Sequence, residues 1–490
     1  MRKRLGFWSG PLLFAAVLFC PLPAISPEAR RAAAVIAWMG VWWTTEAVEL
    51  AAASLLPLAL FPLLSVLTME ETARRYAEPN VFLFMGGFML ALAMQKCELH
   101  RRIALHTIRL CGTGPRRMLG GFMLATACIS MWVSNTATAV MMLPIGMAVI
   151  ERIESKHHRT AGFDTALMLG IAYASSIGGA ATLIGTPPNL IFAGQAKELL
   201  PALPPVGFME WFVWAFPLSA GFLVLTWAYL SFFVIRKGTR REAEDSEQVL
   251  DEEIAALGKL SEAETRVMTI FFLTVAAWIF REDIPLGALR IRGWAGLLGL
   301  KGVHDGTVAM VSALALFAIP EGRGKDGRLL NWDWAKRLPW EVLLLFGAGF
   351  AVAESFQSTG LAGSLAGGLK AFSVLPAVPL VWVLCAATTF VSEFMSNTAQ
   401  VSLMMPVLAA AAPTLGIHPY LLMIPATLAA SFAFMMPAGT PPNAVVIGSG
   451  RLSILQMAKA GLALNLLGSF WITLMTFTLL QWSFRAGFQP

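Results

Sequence analysis

Ser134-Asn135-Thr136-Ala137 is followed downstream by Gly185-Thr186-Pro187-Pro188-Asn189, and the pair returns as Ser396-Asn397-Thr398-Ala399 and Gly439-Thr440-Pro441-Pro442-Asn443. The Ser-Asn-Thr copies lie 262 residues apart and the Gly-Thr-Pro copies 254, so one site built from two related halves is expected. These segments carry hydroxyl, carboxamide and backbone groups, which are costly inside apolar sequence unless they face each other, water or a ligand. Proline lacks an N–H and clashes with the preceding turn. Each Gly-Thr-Pro-Pro-Asn therefore predicts a broken helix, with freed carbonyls on one side and a Pro-started helix N-terminus on the other. Freed carbonyls with Ser and Asn oxygens suit a small cation such as Na+, and helix N-termini favour an anion. The chemistry predicted is binding of a cation beside an anion.

No Lys, Arg, Asp or Glu occurs from Met118 to Ile150, from Thr165 to Ala196 or from Pro419 to Gly450. An anion there is held by neutral donors, helix dipoles and bound cations, with no arginine clamp. Weaker, shared contacts suit a carrier that must release its cargo, because full buried ion pairing is expensive. No His/Asp/Ser set, Cys nucleophile or carboxylate pair stands at the motifs, which argues against an enzyme. Glu393, three residues before Ser396, is the one intramembrane acid there and has two readings. It either tunes a cation site or titrates, or it is a carboxylate that accepts hydrogen bonds from backbone donors of its own hairpin. Glu46 and Glu49 read as interfacial, and His157 and His158 as solvated loop residues.

The elements that must position these residues are membrane helices. Hydrophobic residues make up 57% of the 490 positions and charged ones 13%, with a mean hydropathy of +0.67, which describes a polytopic helical membrane protein. The formal charge of +6 comes without a basic-aromatic stripe, so no nucleic-acid partner is expected; the lipid bilayer is. Apolar segments of spanning length fall at about 7–25, 32–49, 50–66, 80–96, 164–196, 211–235, 267–280, 304–319, 340–357, 420–447 and 461–484, giving eleven crossings. The stretches 118–150 and 375–412 are too long for one crossing and carry Ser-Asn-Thr in the middle. Each reads as a re-entrant helical hairpin, since non-helical backbone at membrane depth is tolerated where it lines a cavity.

With the N-terminus in the cytoplasm and the C-terminus outside, 25 of the 36 Lys and Arg fall on the cytoplasmic side of the plasma (inner) membrane, in keeping with the positive-inside rule. The hairpins then enter from opposite faces, and the fold class is an all-α inverted-topology repeat, the architecture of many secondary transporters. Five regions follow: N-terminal helices over 1–79, a first repeat over 80–235 (hairpin 118–150, broken helix 164–196), and a cytoplasmic linker over 236–266. Helices over 267–339 and a second repeat over 340–490 (hairpin 375–412, broken helix 420–447) complete the chain. The linker stretch Arg236 to Glu264 carries nine acidic residues. Amphipathic segments at Arg101–Leu110 and Leu361–Phe372 either lie along the interface as hinges or are ordinary surface helices. Met1-Arg2-Lys3-Arg4 before an apolar run imitates a signal peptide, but the many spans that follow favour a retained anchor. Cys20, Cys97, Cys111, Cys128 and Cys385 show no paired spacing, so neither a disulfide framework nor a zinc site is indicated.

At its motifs the chain resembles the divalent anion/sodium symporter family, the sodium-coupled dicarboxylate, citrate and sulfate carriers. Beyond both Ser-Asn-Thr copies, the resemblance rests on Phe82-Leu83-Phe84-Met85-Gly86-Gly87-Phe88, Trp132-Val133-Ser134-Asn135-Thr136-Ala137-Thr138-Ala139 and Ser176-Ile177-Gly178-Gly179-Ala180-Ala181-Thr182, and it covers nearly the whole chain. It implies a homodimer whose protomers have a scaffold domain and a transport domain that carries both hairpins in an elevator-like movement. It also implies two Na+ sites: Ser130, Ser134 and Asn135 with the backbone of Gly185, and Ser392, Asn397 and the Met395 backbone with that of Gly439. The substrate carboxylates would meet Ser134, Asn135, Thr136, Ser396, Asn397 and Thr398, aided by Thr186, Pro187, Thr440 and Pro441. The expected function is sodium-coupled symport of a C4 dicarboxylate such as succinate, malate or fumarate. The alternatives are a sodium-independent dicarboxylate antiporter, or a symporter of another divalent anion such as citrate or sulfate.

Overall fold

The computed structural model describes residues 2–20, 25–112, 114–157, 162–235, 240–286, 289–300, 302–322, 327–364, 375–437 and 439–480. Helices dominate, and their starts follow local chemistry. Pro79, Pro115, Pro187 and Pro441 each occupy the first helical position, where the missing N–H has no intrahelical partner to lose. Ser261 with Glu264, and Ser453 with Gln456, form reciprocal capping boxes on the helices Glu262–Ile279 and Ile454–Met475, satisfying donors that the first turn leaves open.

Both Ser-Asn-Thr segments sit in helix–turn–helix units. The first is Pro115–Ser130 followed by Asn135–His157, the second Ala377–Ser392 followed by Asn397–Leu415. Both Gly-Thr-Pro-Pro-Asn segments break a helix: Phe163–Ala180 restarts at Pro187–Leu199, and Tyr420–Ser431 at Pro441–Gly448. Thr186 (φ −143°, ψ 143°) and Thr440 (φ −141°, ψ 123°) hold the same extended backbone before the restart.

The two halves are interleaved. The restart helix Pro187–Leu199 packs on Asn397–Leu415 of the other half, and Pro441–Gly448 packs on Asn135–His157 and Phe163–Ala180. Buried polar bonds stitch the seam. Tyr173 donates its hydroxyl hydrogen to Phe434 O at 2.9 Å, and the Gln195 amide donates to Gly349 O at 2.7 Å and Ser402 O at 3.1 Å. Arg451 pairs with Glu154 at 2.6 Å. The core is correspondingly aromatic, with Trp211, Trp278, Tyr173 and Tyr420 among its largest fully buried side chains.

The structure departs from the sequence expectation in two places. The expected span 50–66 is not one helix: it is Leu50–Ala53 and Leu56–Leu63, interrupted before Pro57. The fold is not wholly α, because Ile284–Leu286 pairs antiparallel with Leu289–Ile291, with β-branched Ile284 opposite Ile291 at the outer end of the ladder. Within the acidic linker region lies a helix, Arg240–Ala256. Of the expected amphipathic segment Leu361–Phe372, Leu361 to Ser364 are helical, and 365–372 fall outside the described residues. The first amphipathic segment is the helix Leu99–Cys111.

Five stretches of the described residues are long and apolar enough to cross a membrane by themselves: Met69–Lys96, Asn135–Glu154, Phe208–Val234, Asn397–Leu415 and Ile454–Leu480. Shorter apolar helices, among them Asp305–Ala318 and Tyr420–Ser431, accompany them. Phe233 and Leu314 stand exposed on such helices, and Phe272 and Leu273 on Glu262–Ile279, as lipid-facing side chains do.

Candidate functional site

Each half gathers three oxygens, a serine hydroxyl with two acceptors around it. Ser130 Oγ lies 2.8 Å from Asn135 Oδ1 and 2.6 Å from Ser175 O. Ser392 Oγ lies 2.7 Å from Asn397 Oδ1 and 2.5 Å from Ala430 O. A serine hydroxyl carries a single hydrogen, so each trio contains more acceptors than its own donor can serve. Hard-oxygen clusters of this kind attract alkali or alkaline-earth cations. Ser130 and Ser392 are fully buried, on the last turn of the first hairpin helix, while Asn135 and Asn397 open the second. Five-residue spacing across the turn lets the two side chains meet.

Glycine shapes both trios. A Cβ on Gly179 would stand 2.1 Å from Asn135 Oδ1, and one on Gly185 would stand 2.4 Å from Gly179 O. Gly179 therefore lies between Asn135 and Gly185, drawing the first-half residues together. A Cβ on Gly439 would meet the backbone Ser392 O at 2.7 Å and Glu393 Cα at 2.8 Å, so Gly439 packs on the turn that carries the serine of the second trio. Met395 is buried in the turn between Glu393 and Ser396.

The expected anion-binding residues divide by exposure. Ser134, Asn135, Thr136, Ser396, Asn397 and Thr398 are half-buried at helix starts, Pro187 is half-buried and Pro441 exposed. Thr186 and Thr440 are buried, and the Thr440 hydroxyl is directed to Ala433 O at 3.3 Å. Ser396, Thr186 and Thr440 make no side-chain cap to the helices they precede. First-turn dipoles there remain directed at the site, each worth about 0.3–1 kcal/mol to an anion. Pro187-Pro188 and Pro441-Pro442 carry no N–H, so direct backbone donors come from the hairpin helices at Asn135 and Asn397 and the restart helices add mainly their dipoles.

The expectation that broken helices leave their carbonyls open needs correction. Asn189 Nδ2 reaches Thr182 O at 2.8 Å, Gly179 O at 3.3 Å and Ala180 O at 3.4 Å, and Trp211 Nε1 donates to Ala180 O at 3.0 Å. Asn443 Nδ2 reaches Met436 O at 3.1 Å and Ala433 O at 3.2 Å. Tyr173 takes Phe434 O. Buried carbonyls need partners, and side chains supply them here.

Glu393 serves the donor side of the second break. Its carboxylate accepts from Met435 N at 2.9 Å, Met436 N at 2.8 Å and Asn465 Nδ2 at 2.6 Å, and Asn465 Oδ1 accepts from Phe434 N at 3.1 Å. It does bond backbone donors, but those of the unwound segment rather than of its own hairpin. Trp211, Tyr173 and Asn465 escaped the sequence reading, because nothing near the motifs announces donors on other helices. Asn189 and Asn443 stood inside the quoted motifs, and their recurrence three positions after each Thr was the available signal. Among the described residues no group of three or more His, Cys, Asp or Glu is placed to hold a metal, and the five cysteines are free.

Interleaved halves with a break and a hairpin in each define a membrane transporter, and comparison with known proteins agrees. Residues 10–484 match the family described as the sodium:sulfate symporter transmembrane region. The chain is 39% identical over 482 residues to the sodium-dependent dicarboxylate transporter SdcS of Staphylococcus saprophyticus, covering 97% of this chain and 91% of the relative. It is 38% identical over 481 residues to SdcS of Staphylococcus aureus, covering 96% and 90%. Among solved structures, MtrF of Neisseria gonorrhoeae, described with a class of antimetabolite efflux pumps, superposes with a TM-score of 0.58 at 14% identity, over 84% of this chain and 83% of that one. The YdaH transporter of Alcanivorax borkumensis gives 0.57 at 16%, over 86% and 89%. These two show likeness of fold. The protein belongs to the divalent anion/sodium symporter family and is a multi-pass membrane transporter.

Proposed function

We propose that the protein carries C4 dicarboxylates such as succinate, malate and fumarate into the cell, coupled to Na+. The observation that carries this reading is the repeated oxygen trio, Ser130/Asn135/Ser175 and Ser392/Asn397/Ala430. Relatives named sodium-dependent dicarboxylate transporters support the cargo.

In this reading one Na+ sits at Ser130, Ser134, Asn135 and the Gly185 backbone. A second sits at Ser392, Asn397 and the backbones of Met395 and Gly439. The dianion bridges the Ser134-Asn135-Thr136 and Ser396-Asn397-Thr398 helix starts, beside Thr186, Pro187, Thr440 and Pro441. Two Na+ and a dianion sum to zero charge, which lowers the cost of carrying cargo through an apolar barrier. Asn135 and Asn397 each serve a cation trio and a helix start, so ion and substrate reinforce each other.

The interleaved packing of restart helices on opposite hairpins favours their moving as one body, in an elevator movement within a homodimer. The helix Leu99–Cys111 then acts as a hinge before the first hairpin, with the N-terminus cytoplasmic and the C-terminus outside.

Uptake of labelled succinate into proteoliposomes, with and without an inward Na+ gradient, tests the reading. Gradient-driven uptake, competed by unlabelled malate and fumarate more strongly than by citrate or sulfate, is the expected result. Uptake that ignores Na+ and requires internal dicarboxylate would establish exchange instead.

A further inference from the structure

We infer that Asn189 and Asn443 are positioning residues that set the width of the two cation trios, an inference that rests on the symport reading above. Both side chains are fully buried, and each is the third residue of a restart helix whose first two positions are prolines. Proline fixes φ at both preceding positions, so the direction of the Asn side chain is set by the chain itself. Its amide reaches back across the break to carbonyls ten and seven positions earlier: Gly179 and Thr182 for Asn189, Ala433 and Met436 for Asn443.

Those carbonyls control the trio geometry. Gly179 lies against Asn135 Oδ1 on one side and against Gly185 on the other. Thr182 O also accepts from Gly185 N at 3.4 Å, so holding Thr182 O fixes the turn that presents Gly185. In the second half Met436, tied through its carbonyl to Asn443, is tied through its N–H to Glu393, directly after Ser392. Each amide thus links the broken helix to the serine–asparagine pair without belonging to it.

The orientation of the amide is forced, because carbonyls accept and only Nδ2 can donate to them. Oδ1 is consequently turned away and accepts no hydrogen bond among the described residues, in both halves alike. A buried unpaired acceptor is costly, and its occurrence at both repeat-related positions indicates that the two donor contacts outweigh it. Sequence alone places Asn189 in a motif; the structure assigns it the task of holding the gap.

The test uses the full-length protein in proteoliposomes with Asn189→Ala, Asn443→Ala, and the same-sized Asn189→Asp and Asn443→Asp, which remove both donors. Na+ half-saturation, succinate KM at saturating Na+, and melting temperature in choline buffer are read for each. Groups that orient ligands of a metal change its affinity by about 10- to 100-fold when removed. The expected result is a rise of that order in Na+ half-saturation, with succinate KM within about two-fold of wild type and a lowered but still cooperative melting transition in choline, since the buried carbonyls lose their donors. Asn→Gln, which keeps the donors on a longer arm, should recover part of the loss. Unchanged Na+ half-saturation in the variants, equal losses for Na+ and succinate, or failure of all four variants to fold would overturn the positioning role while leaving the symport reading intact. A wild-type protein indifferent to Na+ would overturn both.

Discussion

Ser130 Oγ stands 2.8 Å from Asn135 Oδ1, and 262 positions later Ser392 Oγ stands 2.7 Å from Asn397 Oδ1. The two contacts join the same pair of elements in each half, the end of one hairpin helix and the start of the next. Replacing Asn135 or Asn397 by Ala removes a cation oxygen and alters the helix start together. Hydrogen-bonded or ligand contacts to charged groups contribute about 1.5–3 kcal/mol, so Na+ half-saturation should rise roughly 10- to 100-fold with the protein still monodisperse. Wild-type Na+ dependence in both variants would reject the assignment of these sites.

Gly179 offers a sharper steric test. Alanine there favours helix by up to about 1 kcal/mol, yet its Cβ would fall 2.1 Å from Asn135 Oδ1. Gly179→Ala should therefore abolish Na+-dependent uptake while leaving thermal stability in choline close to wild type. The repeat-related position already holds Ala433, fully buried, so Ala433→Gly should leave uptake nearly intact. Equal effects of the two changes on uptake would contradict this.

Glu393→Gln keeps the shape but leaves fewer acceptors for Met435 N, Met436 N and Asn465 Nδ2. Stranding a buried donor costs about 1–3 kcal/mol. The melting temperature should fall, and it should fall less in Asn465→Leu/Glu393→Leu than the two single changes predict, because contacting residues are not additive. Strict additivity would count against the network.

The acidic helix Arg240–Ala256 and the first turn of Glu262–Ile279 grip the helix Leu99–Cys111. Arg101 meets Glu253 at 2.6 Å, Arg102 meets Glu264 at 2.6 Å and Arg109 meets Asp251 at 3.2 Å. Burial raises the Glu264 pKa, but the Arg102 guanidinium and the Ser261 hydroxyl and N–H outweigh it and hold the carboxyl below its ordinary 4.5. A depressed carboxylate contributes fully above the ordinary value and is lost as pH falls through its lowered folded one. Glu264→Gln should thus lower the melting temperature at pH 7 and converge with wild type in acid below that range. A difference that grows on acidification would refute this.

How legible was this site from sequence? The breaks were, because Pro-Pro after Gly-Thr cannot continue a helix and both restarts fall at Pro187 and Pro441. So was the pairing of Ser130 with Asn135, carried by the resemblance. Closure of the breaks was not, since Trp211, Tyr173 and Asn465 approach from other helices at separations no periodicity encodes. Glu393 was noticed but placed on the wrong backbone, because the register of the segment Phe432–Met436 against the hairpin is a tertiary fact. The split at Ser54-Leu55 was hidden by apolar composition, in which hydropathy marks a span without marking its interruptions, and the strands Ile284–Leu286 and Leu289–Ile291 are too short to show a period.

The central claim is that the two oxygen trios make anion binding depend on Na+. Equilibrium titration of the purified protein with succinate, at a series of Na+ concentrations balanced with choline, tests it most directly. Linked sites typically change one another's affinity by roughly 5- to 150-fold, so succinate should bind tighter by a factor in that range as Na+ rises, and Na+ tighter by the same factor with succinate present. Succinate affinity that stays constant from choline alone to saturating Na+ would contradict the account.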